Sequence, residues 1–173
     1  MARALLVIDM LNDFVDPAGS LYVGPTAPAI IERVHQEIIA FQQAGDLVIY
    51  ICDQHRSDDQ EFTVFSPHCI QGTVGAQVYH ELKPLPEDVV IPKRRYSAFY
   101  GTDLDLTLRE RGVQELVLVG VCTNICVLYT AADARMREYK VSVLKKAVTS
   151  FNQEAHAFAL GEMTTVLGVK IIK

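Results

Sequence analysis

The 173-residue sequence predicts a three-layer α/β/α fold: a Rossmann-like, six-stranded parallel sheet in the order 3-2-1-4-5-6, with helices on both faces. Two observations predict it. Short apolar runs alternate with longer segments of helical periodicity, the rhythm of β-α units joined by right-handed crossovers. Several of these runs are apolar at every position, as expected of strands covered on both sides.

The first strand is expected at residues 4–9, "ALLVID", and the second at 46–52, "DLVIYIC". Between them Thr26 is placed to cap a helix running to Ala44, with Gly45 to end it. The third strand, "VVIP" at 89–92, leads to a helix over "DLDLTLRER", capped by Thr102 and ended by Gly112. The fourth, "ELVLVGV" at 115–121, feeds a helix that begins near Ile125. The fifth is expected at 141–144 and the sixth at 169–172; between them Asn152 caps a helix that Gly168 ends. Residues 53–75 break the rhythm. They carry no core pattern, and long irregular connections in compact domains are uncommon and often functional.

Composition fits one globular domain spanning 1–173: 50% of residues are hydrophobic and 21% charged. A formal charge of −5 and the absence of a Lys/Arg block argue against nucleic acid or an anionic membrane as partner. No apolar run approaches a membrane span, and "MARALLVIDM" reads as strand and not leader, so the expected location is cytoplasmic. In a reducing compartment Cys52, Cys69, Cys122 and Cys126 remain thiols. Phosphate-loop, dinucleotide-binding and serine-elbow patterns are absent. Homo-oligomerisation is left open.

In the predicted architecture ligands bind beyond the carboxyl ends of the strands, so polar residues there carry the chemical questions. Asp9 closes strand one; read alone, it serves equally as a loop or capping group. Lys93 follows strand three, where a basic residue is commonly solvated. Cys126 falls in the first turn after strand four, where free amides and the helix dipole favour a thiolate, though a buried thiol is more often inert packing. Cys122, at the turn itself, offers its amide more than its sulfur. CxxxC alone lacks zinc-site spacing. Strands one and four flank the switch point, which joins Asp9 to Cys126, but strand three is remote and periodicity does not show how Lys93 reaches them.

The long loop holds the metal candidates. Asp53 and His55 are one residue apart in an extended segment and point the same way, while Glu61 and His68 lie further along. Two imidazoles and two carboxylates suit a divalent zinc, iron or manganese ion. The alternative is a polar surface loop.

Taken in order, "ALLVIDMLNDF", "CDQH", "PHCIQGT", "KRRYSAFYGTDLD" and "GVCTNICVLYTAADA" resemble the nicotinamidases (pyrazinamidases) of the isochorismatase-like cysteine hydrolases. That resemblance implies hydrolysis of nicotinamide to nicotinate and ammonia in NAD salvage, with a catalytic triad of Asp9, Lys93 and Cys126. It further implies an oxyanion hole from the backbone amides of Cys122 and Cys126, with a cis Val121–Cys122 peptide. A divalent metal, Zn2+ with Fe2+ or Mn2+ as alternatives, would sit on Asp53, His55, Glu61 and His68, with Asp58 or Asp59 competing for the place of Glu61. Phe14, Leu21, Phe65 and Tyr96 would wall the substrate ring. Asn124 stands where many relatives carry Asp, and its amide is expected to cap the helix. The implied alternative is a metal-free relative acting on isochorismate or another small amide.

Overall fold

The structure is a computed structural model and describes residues 2–173. Six parallel strands form one sheet: β1 (Ala2–Ile8), β2 (Leu47–Asp53), β3 (Val89–Lys93), β4 (Val113–Val121), β5 (Lys140–Thr149) and β6 (Lys170–Ile172). Their order is β3-β2-β1-β4-β5-β6, as the alternation predicts. The helices are α1 (Asn12–Val15), α2 (Ala27–Ala44), α3 (Leu104–Glu110), α4 (Leu128–Met136) and α5 (Gln153–Thr165).

The pleat of β1 explains the three layers. Leu5 and Val7 pack with Ile30, Val34 and Phe41 of α2, whereas Ala4, Leu6 and Ile8 pack with Leu104 and Leu108 of α3, Ala131 of α4 and Met163 of α5. A strand buried on both faces must be apolar at every position, and residues 4–8 are. None of the described helices is long and apolar enough to cross a membrane.

Three sequence expectations need correction. Thr26 does not cap α2 with its side chain; Oγ1 instead hydrogen-bonds Thr149 Oγ1 at 2.9 Å, and proline in the first turn starts the helix. Helix α3 begins at Leu104 behind Asp103, while Thr102 Oγ1 accepts from the Leu104 amide at 3.3 Å. Strand β5 runs to Thr149, five residues past its expected end at 144. Lys145 and Lys146 interrupt its apolar pattern where the register with β4 shifts, and Val148 and Thr149 then pair with Gly120 and Val121. Asn152 caps α5 as expected, accepting from the Ala155 amide at 3.0 Å, and Gly45 ends α2 at φ 71°.

Gly120 sets the closest approach of β1 and β4. It pairs with Ile8 at φ 112°, and a Cβ there would collide with the Ile8 backbone. Gly120→Ala should therefore lose about 3 kcal/mol or more of unfolding free energy from combined strain and overpacking. Urea denaturation checks this; a midpoint equal to wild type would mean the two strands are not held so closely.

Candidate active site

Four strand ends converge on one buried cluster. Asp9, the first residue past β1, is fully buried and has φ 52°, a region few non-glycine residues adopt. Its amide donates to Ile51 O at 2.9 Å, and its Oδ1 accepts from the Asp53 amide at 2.9 Å, so the carboxylate leans over the end of β2. Lys93 ends β3 in register with Asp53. Its Nζ hydrogen-bonds Asp53 Oδ1 and lies 2.9 Å from Asp9 Oδ2, an ion pair set off the hydrogen-bond axis. Nζ is also 3.5 Å from Cys126 Sγ. Although β3 lies about 10 Å from β1 at ordinary strand spacing, a long side chain and a leaning carboxylate close that gap.

Cys126 lies in a widened π-type turn, Thr123–Val127, ahead of α4. Ile125 and Val127 amides donate to Cys122 O at 3.0 and 3.2 Å, and the Val121–Cys122 peptide is cis. The segment after β5 clamps this turn. Ser150 Oγ donates to Asn124 Oδ1 at 2.6 Å, and His156 Nδ1 lies 2.8 Å from Thr123 Oγ1. Asn124 thus holds β5's extension and does not cap a helix.

Electrostatics in the cluster are set by burial first. Burial, then Asp53, raises Asp9 to about 6 against the opposing pull of Lys93. Burial works against the charge of Asp53, but Lys93 above all, with the neighbouring His55 and His68 rings, holds it well below the usual carboxylate range. Burial would likewise discharge Lys93, yet Asp53 and Asp9 outweigh it and hold the ammonium well above its ordinary pKa. Burial pushes the Cys126 thiol well up; Lys93 pulls it down, and the charges of Asp9 and Asp53 push it further up. The expectation of a thiolate favoured by the helix end is not met: burial and the neighbouring carboxylates push the thiol up.

The donor cluster adjoins this group. One ligand atom from each of Asp53, His55, Glu61 and His68 lies within 4.8 Å of the others. His55 Nε2 is 3.5 Å from Asp53 Oδ2, and His68 Nε2 is 3.8 Å from both Asp53 Oδ2 and Glu61 Oε1. His68 Nδ1 donates to Ser66 O at 2.8 Å and His55 Nδ1 to Asp59 Oδ2 at 3.2 Å, which turns both Nε2 lone pairs inward. His55 Nε2 and Glu61 Oε2 are buried without a hydrogen-bond partner. A mixed N and O donor set with orphaned buried atoms fits a divalent ion. Of the competing carboxylates, Asp58 is exposed and pairs with Arg56, and Asp59 faces the outer side of His55, so Glu61 completes the set.

Above both clusters opens a cleft of about 310 Å³, mouth included. Phe14, Leu21, Phe65 and Tyr96 line it, together with Ile125 and Phe151. Phe151 escaped the sequence reading because β5 appeared to end too early. Asp13 is a turn or capping group by residue type, yet its Oδ2 accepts from the Cys69 amide at 2.6 Å and staples the long loop beside His68.

An α/β fold with a buried Asp, Lys and Cys at the strand ends and a four-donor group beside them defines a hydrolase of the isochorismatase class. The chain belongs to the isochorismatase family: the Isochorismatase domain model matches residues 3–172. It is similar, at 44% identity over 99% of both chains, to the Bacillus subtilis isochorismatase family protein PncA. Its structure is similar to that of the nicotinamidase/pyrazinamidase PncA from Bacillus subtilis, with a TM-score of 0.95, 39% identity and 100% of both chains covered. It is also similar to the Pyrococcus horikoshii pyrazinamidase in complex with zinc, with a TM-score of 0.94, 34% identity, and 100% of this chain and 99% of that one covered.

Asp13→Ala should leave the Cys69 amide without its partner and cost about 1–3 kcal/mol. The expected signature is faster hydrogen exchange at Cys69 together with a lower urea midpoint; unchanged exchange there would refute the staple.

Proposed function

We propose that the chain is a nicotinamidase that hydrolyses nicotinamide to nicotinate and ammonia through a thioester on Cys126, as a step of NAD salvage. One observation carries this reading: Asp53 belongs to both clusters, with one oxygen on Lys93 beside the thiol and the other facing His55 and His68. A flat aromatic amide between Phe14, Leu21, Phe65 and Tyr96 would meet a nucleophile at its carboxamide and a nitrogen-binding group at its ring. The relatives described as nicotinamidase/pyrazinamidase and as a zinc-bound pyrazinamidase support the same reading.

In the proposed mechanism Cys126 Sγ attacks the carboxamide carbon while Asp9 takes the thiol proton. The thiol's raised pKa makes a free resting thiolate unfavourable, so proton transfer accompanies attack, as the charge passes on to the carbonyl oxygen. The amides of Cys122 and Cys126 hold that oxyanion. Asp9 returns the proton to the departing nitrogen as the C–N bond breaks, which releases ammonia and leaves the acyl group on sulfur. It then takes a proton from the water that attacks the thioester and passes it to the sulfur as the C–S bond breaks, restoring the thiol and freeing the acid. Lys93 orients Asp9 throughout and favours its charged form. A divalent ion held by Asp53, His55, Glu61 and His68, zinc in the first instance and iron or manganese otherwise, would supply a Lewis-acid contact to the pyridine nitrogen.

Ammonia release from nicotinamide tests the assignment. Cys126→Ala should lose about a thousandfold or more in kcat/KM, and chelator-stripped protein should regain activity when a divalent ion is restored. No release by the metal-loaded wild type would refute the nicotinamidase reading. Because Asp9 must be ionised to accept the proton and is raised to about 6, kcat/KM at saturating metal should fall as pH drops through about 6. A profile flat down to pH 4.5 would exclude Asp9 as the base.

A further inference from the structure

Asp59 takes no part in the chemistry above, yet its side chain is fully buried and both of its oxygens are committed. Oδ2 accepts from His55 Nδ1 at 3.2 Å and from Arg94 Nε and Nη2 at 3.1 and 3.0 Å. Oδ1 accepts from the Glu61 amide at 3.1 Å and from Arg95 Nη1 at 3.0 Å. One carboxylate is therefore bonded to two of the four donor residues: to the ring of His55, and to the backbone of Glu61 in the turn Gln60–Thr63 that Asp59 caps. Through Arg94 and Arg95, the residues that follow Lys93, it also ties the donor cluster to the strand end that carries the buried ammonium. Asp58, next along the chain, is exposed and pairs with exposed Arg56.

We propose that Asp59 is a positioning residue for metal binding, locking His55 with Nε2 aimed into the cluster and fixing the turn that delivers Glu61. The inference rests on reading Asp53, His55, Glu61 and His68 as a metal site. An imidazole that donates its outer N–H to a carboxylate is held in one tautomer and one ring orientation, and its inner nitrogen becomes a better donor. His68 has a neutral carbonyl in the same role, Ser66 O at 2.8 Å, so the charged support falls on His55 alone. Two guanidiniums keep Asp59 ionised and in place in a setting where a lone buried carboxylate would be costly.

The test is zinc affinity, measured by competition with a chromophoric chelator on metal-free wild type, Asp59→Ala, Asp59→Asn and Asp58→Asn, after near-UV circular dichroism has established that each is folded. Asp59→Ala should raise the zinc Kd about 10–100-fold. Asp59→Asn should raise it less, because its amide oxygen can still cap the Glu61 turn but brings no charge to His55. Asp58→Asn should match wild type. A wild-type zinc Kd in folded Asp59→Ala overturns the inference, and if that variant does not fold, an unchanged Kd in Asp59→Asn does the same. Wild type that binds no zinc would instead overturn the metal site on which the inference rests.

Discussion

Asp9 and Asp53 lie buried at the ends of adjacent parallel strands, and they are tolerable there because the Lys93 ammonium lies against both. Without that charge the two carboxylates would face each other in a medium of low polarity; removing one partner of such a buried pair costs about 3–5 kcal/mol. The strand order makes the arrangement unusual. Lys93 enters from the sheet edge, in register with Asp53, and reaches Asp9 only because the left-handed backbone of that residue tips its carboxylate over β2. The Cys126 thiol then comes within 3.5 Å of the ammonium from the far side, on the turn after β4.

Asp53 extends this constraint outward. Its Oδ1 is held by Lys93, so Oδ2 is left to face His55 and His68, and the donor cluster inherits its position from the ion pair. The long loop that brings His68 and Glu61 back to that oxygen has little regular structure of its own. It is fastened from outside by Asp13 on the Cys69 amide, and within itself by the amides of His55 and Gln71, which donate to Cys69 O and His55 O, both at 2.9 Å. In the proposed reaction the two clusters would grip opposite ends of one small ring, and their fixed spacing would be the source of substrate selection.

Much of this was legible in the sequence, for physical reasons. Strands buried on both faces must be apolar throughout, so "ALLVI" and "LVIYI" announce themselves, and strand order places Asp9 beside Cys126. Four things were hidden. Lys93 is an ordinary loop lysine until the φ of Asp9 is known, since local sequence does not encode which way a carboxylate leans. The second half of β5 was masked by Lys145 and Lys146, which leave the apolar pattern where the ladder shifts, and with it went Ser150 and Phe151. The ionisation of Cys126 was misjudged because a helix-end argument counts the dipole and omits desolvation and the neighbouring carboxylate. Asp13 and Asp59 look like turn residues by type; only the folded loop reveals that half-buried Asp13 anchors a backbone N–H and that buried Asp59 anchors both a backbone and a ring N–H.

In the proposed reaction an acyl group passes through the Cys126 sulfur. Hydroxylamine, close to water in size, tests it: added to metal-loaded protein turning over nicotinamide, it should intercept the thioester. Nicotinohydroxamate should form at the expense of nicotinate, with ammonia release continuing, and neither product should form with Cys126→Ala. Ammonia and nicotinate released in full with no hydroxamate at any hydroxylamine concentration would contradict the thioester and point to direct attack of water on the amide.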